Sequence, residues 1–474
     1  NTQADEIIER VGDAEIVITN KVPFSRETMK ALPNLRLICV AATGVNIIDL
    51  EAAAELGVEV RNAAGYSTES VTETPAATQA PTEIPSPTPT PTPEVDEHQV
   101  WYDGVIASSL MQTGNNYRLR KVIEKAKAGE DVYIGFIGGS ITEGEGCSYA
   151  NCYAMQTYRN FAEDFGTGEN VHIINAGVSG TPSTLGVIRY ERDLIEKNDG
   201  HLPDLLIIEF AVNDGDDPTN GDTYEGLIRR ALYAENEPAV VLLFSVFQSK
   251  WNLQDRFKPM GKYYNLPMVS IKDAVVPCLN KGTITNAQFF NDIYHPKLYG
   301  HTIMADCLRY LFKTVTEEEP AAADEAKKDK FQSDAFDHVT MITSKSTDVK
   351  VTAGGFSAVD GTLGTTRYDK AKTFPDNWMH TKETGKKPLT FTVKAKSILI
   401  TYKKSNSKTY GKADVYLDGR KVLTIDGYDA GGWNNPYTAV ILNSDTVASH
   451  KVEVRMADGS EDATFTVMAF GYGD

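Results

Sequence analysis

The pattern of apolar and polar positions divides the chain into three stretches of different character. Through residues 1–66, short apolar runs alternate with segments whose apolar residues recur at helical spacing. Helices are predicted over 4–11, 25–32 and 47–56, and strands over 14–19, 35–41 and 58–62. Such alternation gives an α/β unit with parallel strands. From residue 98 it resumes on a larger scale, with helices predicted over 117–128, 149–165, 185–197, 224–233 and 298–312. The intervening strands, 132–137, 171–174, 204–211, 240–245 and 268–271, are continuous apolar runs. Runs of that kind suit a parallel sheet covered on both faces, whose functional loops lie at the carboxyl ends of its strands. From Phe336 the helical period is lost. Short alternating strands at 389–393, 397–402, 413–417, 450–455 and 464–467, with turn signals such as Asp418-Gly419 between them, predict an antiparallel sandwich of jelly-roll type.

Two stretches carry neither period. Residues 72–97 are rich in Thr, Pro, Glu, Ala and Ser around the core PSPTPTPTP of 85–93. Alternating prolines hold a chain extended at ~3.1 Å per residue, so this is a spacer. Residues 317–329 are charged and low in apolar content. The expected organisation is therefore an α/β fragment (1–70), a Pro/Thr-rich linker (71–97), an α/β domain (98–316), a second linker (317–332) and a β-sandwich (333–474).

Composition narrows the functional classes. A net charge of −18 argues against nucleic acid or an anionic membrane as partner. No apolar run approaches the roughly 18 residues of a spanning helix, so membrane insertion is not expected. The chain opens at Asn1 without Met, which fits removal of an export signal and an extracellular or cell-surface location. The cysteines (Cys39, Cys147, Cys152, Cys278, Cys307) show no CxxC spacing, so no zinc site is expected. Cys147 and Cys152 are near enough in sequence to bridge.

Candidate chemistry begins where the apolar run VYIGFI of 132–137 ends in Gly138-Gly139-Ser140. A serine at that turn sits at the rim of a sheet, and small neighbours let a substrate carbonyl approach its hydroxyl and N–H. Three more polar blocks follow at strand ends or before the last helix: NAGVSG at 175–180, Asn213-Asp214, and NDIYHP at 291–296. His172, His201 and His301 stand outside these blocks and read as solvated or hydrogen-bonded. Glu209, inside an apolar strand, must be paired; Arg189 and Arg192 on the preceding predicted helix are the candidate partners.

Taken in order, the four blocks resemble those of the SGNH, or GDSL-like, hydrolase superfamily and span residues 115–312. The resemblance implies a flavodoxin-like three-layer α/β fold and an acyl-enzyme mechanism needing no metal or cofactor. It implies Ser140 as nucleophile, His295 as general base and Asp292 as the group that orients the imidazole. It implies an oxyanion hole from the N–H groups of Ser140 and Gly180 and the side chain of Asn213. The usual Asp before the serine is Gly139 here. That glycine-glycine-serine version, with the trailing sandwich, resembles two-domain acetylesterases that trim acetyl groups from mannan or xylan. The implied substrate is thus an acetylated polysaccharide or oligosaccharide. In those enzymes the sandwich is a carbohydrate-binding-like module, and Trp433, Tyr437 and Trp378 are candidates to stack on sugar rings. A lipase-like or lysophospholipid esterase and a non-catalytic sugar-binding surface protein stay open as alternatives.

The first stretch carries a different resemblance. LPNLRLICVAATGVNIIDL at 32–50 and VEVRNAAGYSTESV at 58–71 resemble the substrate domain of D-2-hydroxyacid dehydrogenases. That family continues into a dinucleotide-binding domain opened by G-x-G-x-x-G, whose backbone cradles the pyrophosphate. This sequence contains no such motif, so residues 1–70 are expected to be a partial domain without dehydrogenase activity.

Overall fold

Local signals account for the first elements of the chain. The computed structural model describes residues 7–19, 22–40, 48–62 and 96–474, and its contacts group into two units, Asn1–Thr92 and Pro93–Asp474. The first unit holds helices α1 (Ile7–Val11), α2 (Arg26–Lys30) and α3 (Leu50–Leu56) and strands β1 (Ile16–Thr19), β2 (Leu37–Val40) and β3 (Glu59–Asn62). Helix α3 starts where the Asp49 carboxylate accepts the Ala52 N–H and ends at Gly57 in the left-handed region. The strands form a parallel sheet in the order β1-β2-β3 over a small core that includes Phe24, Met29, Ile38 and Ala52. The spacer expected at 71–97 lies outside the described residues as far as residue 95.

The second unit opens with α4 (Glu97–Ala107), capped by Asp96, then β4 (Leu110–Gln112) and α5 (Tyr117–Lys127). Next come β5 (Val132–Gly138), α6 (Ser140–Glu143), α7 (Tyr153–Phe165), β6 (Val171–Gly177) and α8 (Ser183–Leu194). They are followed by β7 (Leu205–Glu209), α9 (Asp222–Leu232), β8 (Ala239–Phe244), α10 (Gln254–Tyr263) and β9 (Met268–Ser270), then α11 (Ile271–Lys281), α12 (Asn286–Phe289) and α13 (Leu298–Glu317). The sheet order is β4-β9-β8-β7-β5-β6. All its neighbours are parallel except the edge strand β4, which runs against β9. Counted from β5, the parallel strands lie in the order 2-1-3-4-5, which puts the reversal of winding between β5 and β7. Period-two burial separates the faces. Leu205 and Ile207 of β7 join one core, with α5, α7 and α13; Leu206 and Ile208 join the other, with α8, α9 and α10.

The remaining strands are β10 (Val339–Ile342), β11 (Trp378–His380), β12 (Leu389–Ser405), β13 (Lys412–Leu417), β14 (Arg420–Asp426), β15 (Trp433–Met456) and β16 (Phe465–Gly473). They form an antiparallel assembly on one hydrogen-bonded path, β10-β16-β12-β15-β13-β14, with β11 on β16. The seven strands make an antiparallel β-sandwich, as expected, dominated by the long, bulged strands β12 and β15. Its own core contains Trp378, Phe391, Ile398, Ile400 and Phe470. Its other contacts enter the second core of the α/β part: Leu399, Met468 and Ala469 pack in the same cluster as Ile137, Ile188 and Leu227. Helix α8 is flanked by both assemblies and is buried along nearly its whole length. The segment after α13 has no regular structure but is tied down. Arg118 pairs with Asp324 at 2.9 Å. The Glu225 carboxylate on α9 accepts the backbone N–H groups of Phe331, Gln332 and Ser333.

Candidate active site

The four polar blocks converge at the carboxyl ends of β5, β6 and β7, beside the point where the winding reverses. Ser140 opens α6 directly after the Gly138-Gly139 turn. Its Oγ lies 2.9 Å from His295 Nε2. His295 Nδ1 lies 3.0 and 2.9 Å from the two Asp292 oxygens. The Asp292-to-His295 loop is self-supporting: Asp292 Oδ1 also accepts the N–H groups of Tyr294 (2.8 Å) and His295 (2.9 Å). A short polar side chain that hydrogen-bonds backbone just ahead of it makes such a turn with few residues. Burial works against the Asp292 charge, but the imidazole and those two N–H groups outweigh it and hold the carboxyl at about 2.

Gly180 and Asn213 line the same cleft, of about 610 Å³, as Ser140 and His295. Both are closely packed. A Cβ on Gly139 would stand 2.5 Å from the Asn213 side-chain amide, so a larger residue before the serine would displace that amide. Gly180 has φ +69°, and a Cβ there would meet the Trp433 ring at 3.0 Å. Asp214, next to Asn213, accepts the Ser183 N–H (2.8 Å) and hydroxyl (2.6 Å), tying the loop after β7 to the one after β6.

Of the aromatic candidates, Trp433 begins β15, lines the cleft and is 57% exposed. Tyr437 is 41% exposed and lies under the Lys404 ammonium. Trp378 does not qualify. It is 4% exposed and packs against Phe470 in the sandwich core, so its faces are closed to a sugar. Sequence reasoning missed Phe247 and Tyr294, whose rings meet edge to face at 5.1 Å on the cleft wall, and Glu143, Glu145 and Arg367, which also line it. Phe247 follows β8, and the rule that loops at carboxyl ends carry function would have found it.

The other histidines lie elsewhere. His172 and His201 stack on the faces of Tyr133. His301 is buried, accepts the Tyr153 N–H and contacts the Glu145 carbonyl; burial pushes it down to about 4. Cys147 and Cys152 are free thiols. Among the described residues no cluster of His, Cys, Asp and Glu could hold a metal, and no helix is long and apolar enough to cross a membrane.

Glu209 does not pair with Arg189 or Arg192. Arg189 donates to the carbonyls of Ala176 and Gly138, and both arginines bind Asp193. Glu209 instead ends β7 beside Gly138 and accepts from Thr142, whose hydroxyl also meets the Tyr153 hydroxyl. Burial pushes this carboxyl up to about 7, against the hydrogen bond from Thr142. The unfolded chain releases the same proton near 4.5, so the folded state binds more protons between those values, and stability falls as pH rises through that window. Glu209→Gln is expected to flatten the fall, matching the wild type near pH 4 and exceeding it at pH 8 by about 3 kcal/mol. Denaturant unfolding across that range checks it. Asp214, raised to about 8 by burial against its Ser183 bonds, contributes a slope of the same sign that the variant retains.

Comparison with known proteins returns two likenesses of different extent. The model of the D-isomer specific 2-hydroxyacid dehydrogenase family, catalytic domain, matches residues 1–385. A Haemophilus influenzae protein described as a 2-hydroxyacid dehydrogenase is 56% identical over 73 residues, 15% of this chain and 23% of that protein. A hydroxypyruvate reductase of Blautia hydrogenotrophica is 47% identical over 70 residues, 15% of this chain and 22% of that protein. The chain thus spans under a quarter of the length of these curated relatives. Among solved structures, a two-domain esterase active on acetylated mannans, co-crystallised with mannopentaose, superposes with a TM-score of 0.68 at 29% identity. That match covers 78% of this chain and 98% of the esterase.

Proposed function

The chain belongs to the D-isomer specific 2-hydroxyacid dehydrogenase family by its match over residues 1–385, yet from the geometry of the cleft in its second unit we propose a serine esterase removing O-acetyl groups from a polysaccharide of mannan or xylan type. The observation that carries the reading is the unbroken run from Ser140 Oγ through His295 to Asp292, with contacts of 2.9–3.0 Å, in a cleft overlooked by an exposed indole. Likeness to an esterase of acetylated mannans over 78% of the chain supports it.

In the proposed reaction Ser140 Oγ attacks the acetyl carbonyl while His295 Nε2 takes the hydroxyl proton. The oxyanion is held by the N–H groups of Ser140 and Gly180 and the Asn213 amide. Collapse passes the proton from His295 to the departing sugar oxygen and leaves an acetyl-serine. His295 then deprotonates a water, which releases acetate and restores the hydroxyl. Asp292 keeps Nδ1 protonated throughout and stabilises the imidazolium. No step needs a metal or a cofactor.

A panel of acetylated manno- and xylo-oligosaccharides, read by mass loss and acetate release, tests the reading; no release from any member overturns it. Trp433 is proposed as the sugar-stacking wall, being held over Gly180 with more than half its surface open. Trp433→Ala is expected to raise KM for acetylated oligosaccharides about tenfold, or about 1.4 kcal/mol, with little change toward a small acetate ester. Steady-state kinetics on both substrates checks it.

A second reading, oxidation of a 2-hydroxy acid, is favoured by the family match and by the curated relatives over some 70 residues. It predicts nicotinamide binding, measurable by calorimetry, and this sequence contains no G-x-G-x-x-G to cradle the pyrophosphate.

A further inference from the structure

A side chain of the sandwich reaches into the loop that carries the nucleophile, and the acetyl-transfer chemistry above makes no use of it. Arg367 lies between β10 and β11, outside any helix or strand. Its Nη1 donates to the carbonyls of Gly144 (2.6 Å) and Cys147 (3.1 Å), and its Nη2 to the Glu145 carboxylate (2.9 Å). Gly144 caps the carboxyl end of the short helix that starts at Ser140, where unsatisfied carbonyls favour a cation. The backbone N–H of Arg367 donates to one oxygen of Glu143 at 3.0 Å. The other oxygen accepts both the N–H (2.7 Å) and the hydroxyl (2.5 Å) of Ser179, the residue before Gly180. Glu143 is itself buried, at 6% exposure.

One carboxylate therefore joins three pieces: the turn that presents Ser140, the loop that presents Gly180 and the sandwich. We propose that Glu143 and Arg367 are positioning residues that fix the Ser140 hydroxyl against the Gly180 N–H, so that the sandwich completes the oxyanion hole as well as facing the sugar. The inference rests on the esterase reading. Charge-assisted bonds to a buried carboxylate are short and directional, and without them Ser179 and Gly180 are held on this side by backbone alone. Misplacement of a reacting group by about 1 Å costs on the order of 100-fold in rate.

The test uses the full chain and 4-nitrophenyl acetate, an ester too small to span the cleft to the sandwich. Arg367→Ala and Glu143→Gln are expected to lower kcat about 10- to 100-fold with KM little changed. Added guanidinium should restore part of the Arg367→Ala loss, while Arg367→Lys, lacking the planar fork, should recover less. Simple glue between two assemblies would shift the unfolding midpoint without this kcat signature. Direct sugar contact would raise KM for oligosaccharides alone; either result, or unchanged kcat, overturns the proposal. If Glu143→Gln does not fold, Arg367→Ala decides, since that side chain is 32% exposed. A wild-type protein inert to the small ester and to fluorophosphonate labelling at Ser140 would sink the esterase reading and this inference together. Wild-type turnover with unaltered variants would sink this inference alone.

Discussion

Replacing Ser140 with Ala is expected to lower kcat for acetyl release by about a million-fold while leaving oligosaccharide affinity intact. The hydroxyl is one heavy atom, and its removal alters neither the Gly139 turn nor the indole of Trp433. What stays behind, the oxyanion donors and the bound geometry, still accelerates hydrolysis about 10³- to 10⁴-fold over water, so the residual rate is small rather than nil. Titration of the variant with an acetylated manno-oligosaccharide by calorimetry, beside acetate assays, separates the two quantities. Acid-quenched wild type should carry an acetyl group on the peptide containing Ser140, and the variant should carry none. Substantial acetate release by the variant would mean that another group does the chemistry.

The second large effect is expected from Asp292→Asn, about a 10⁴-fold fall in kcat with the fold intact. The reason lies in how the carboxylate is used. Its Oδ1 accepts two backbone N–H groups, from Tyr294 and His295, while Oδ2 faces His295 Nδ1. An asparagine must keep its carbonyl oxygen on those N–H donors, which turns its NH2 toward Nδ1. The imidazole then carries its proton on Nε2, pointing at Ser140, and cannot receive the serine proton. A charge that steadies the imidazolium is lost as well. Asp292 is 43% exposed on the loop, so unfolding midpoints should move little. Kinetics beside an NMR assignment of the His295 tautomer checks both halves. An Asp292→Asn variant of near wild-type rate would show that the carboxylate orients nothing.

The readable parts of the site were those written in short local patterns. A glycine pair after an apolar run, an Asn-Asp at a strand end and an Asp three residues before a His each need only a few neighbours. Parallel strands bring such blocks to one rim without further instruction. The parts that did not read were set by distant packing. Trp378 and Trp433 are the same residue type and each opens a strand, but Trp378 pairs along β16 and turns inward. Arg189 and Arg192 looked like partners for Glu209 because they lie one element earlier, but Asp193, on their own helix, takes both. Helix α10 went unseen because Pro259 interrupts a weak pattern, although Gln254, Phe257, Met260 and Gly261 do form a buried stripe. Arg367 had no signal at all: it stands in an irregular stretch, and each of its partners is more than 200 residues away.

The apolar cluster that takes Ile137 from the parallel sheet and Met468 from the antiparallel one bears on how this protein comes apart. Heating should give one cooperative endotherm for residues 96–474 rather than two, because neither half can melt without stripping the cover from the other. The same continuity makes the α/β half a poor candidate for excision: cut free near residue 333, it would expose the flank of α8 and clump. Despite its modular appearance, this pair is held together, and lost, as a single piece.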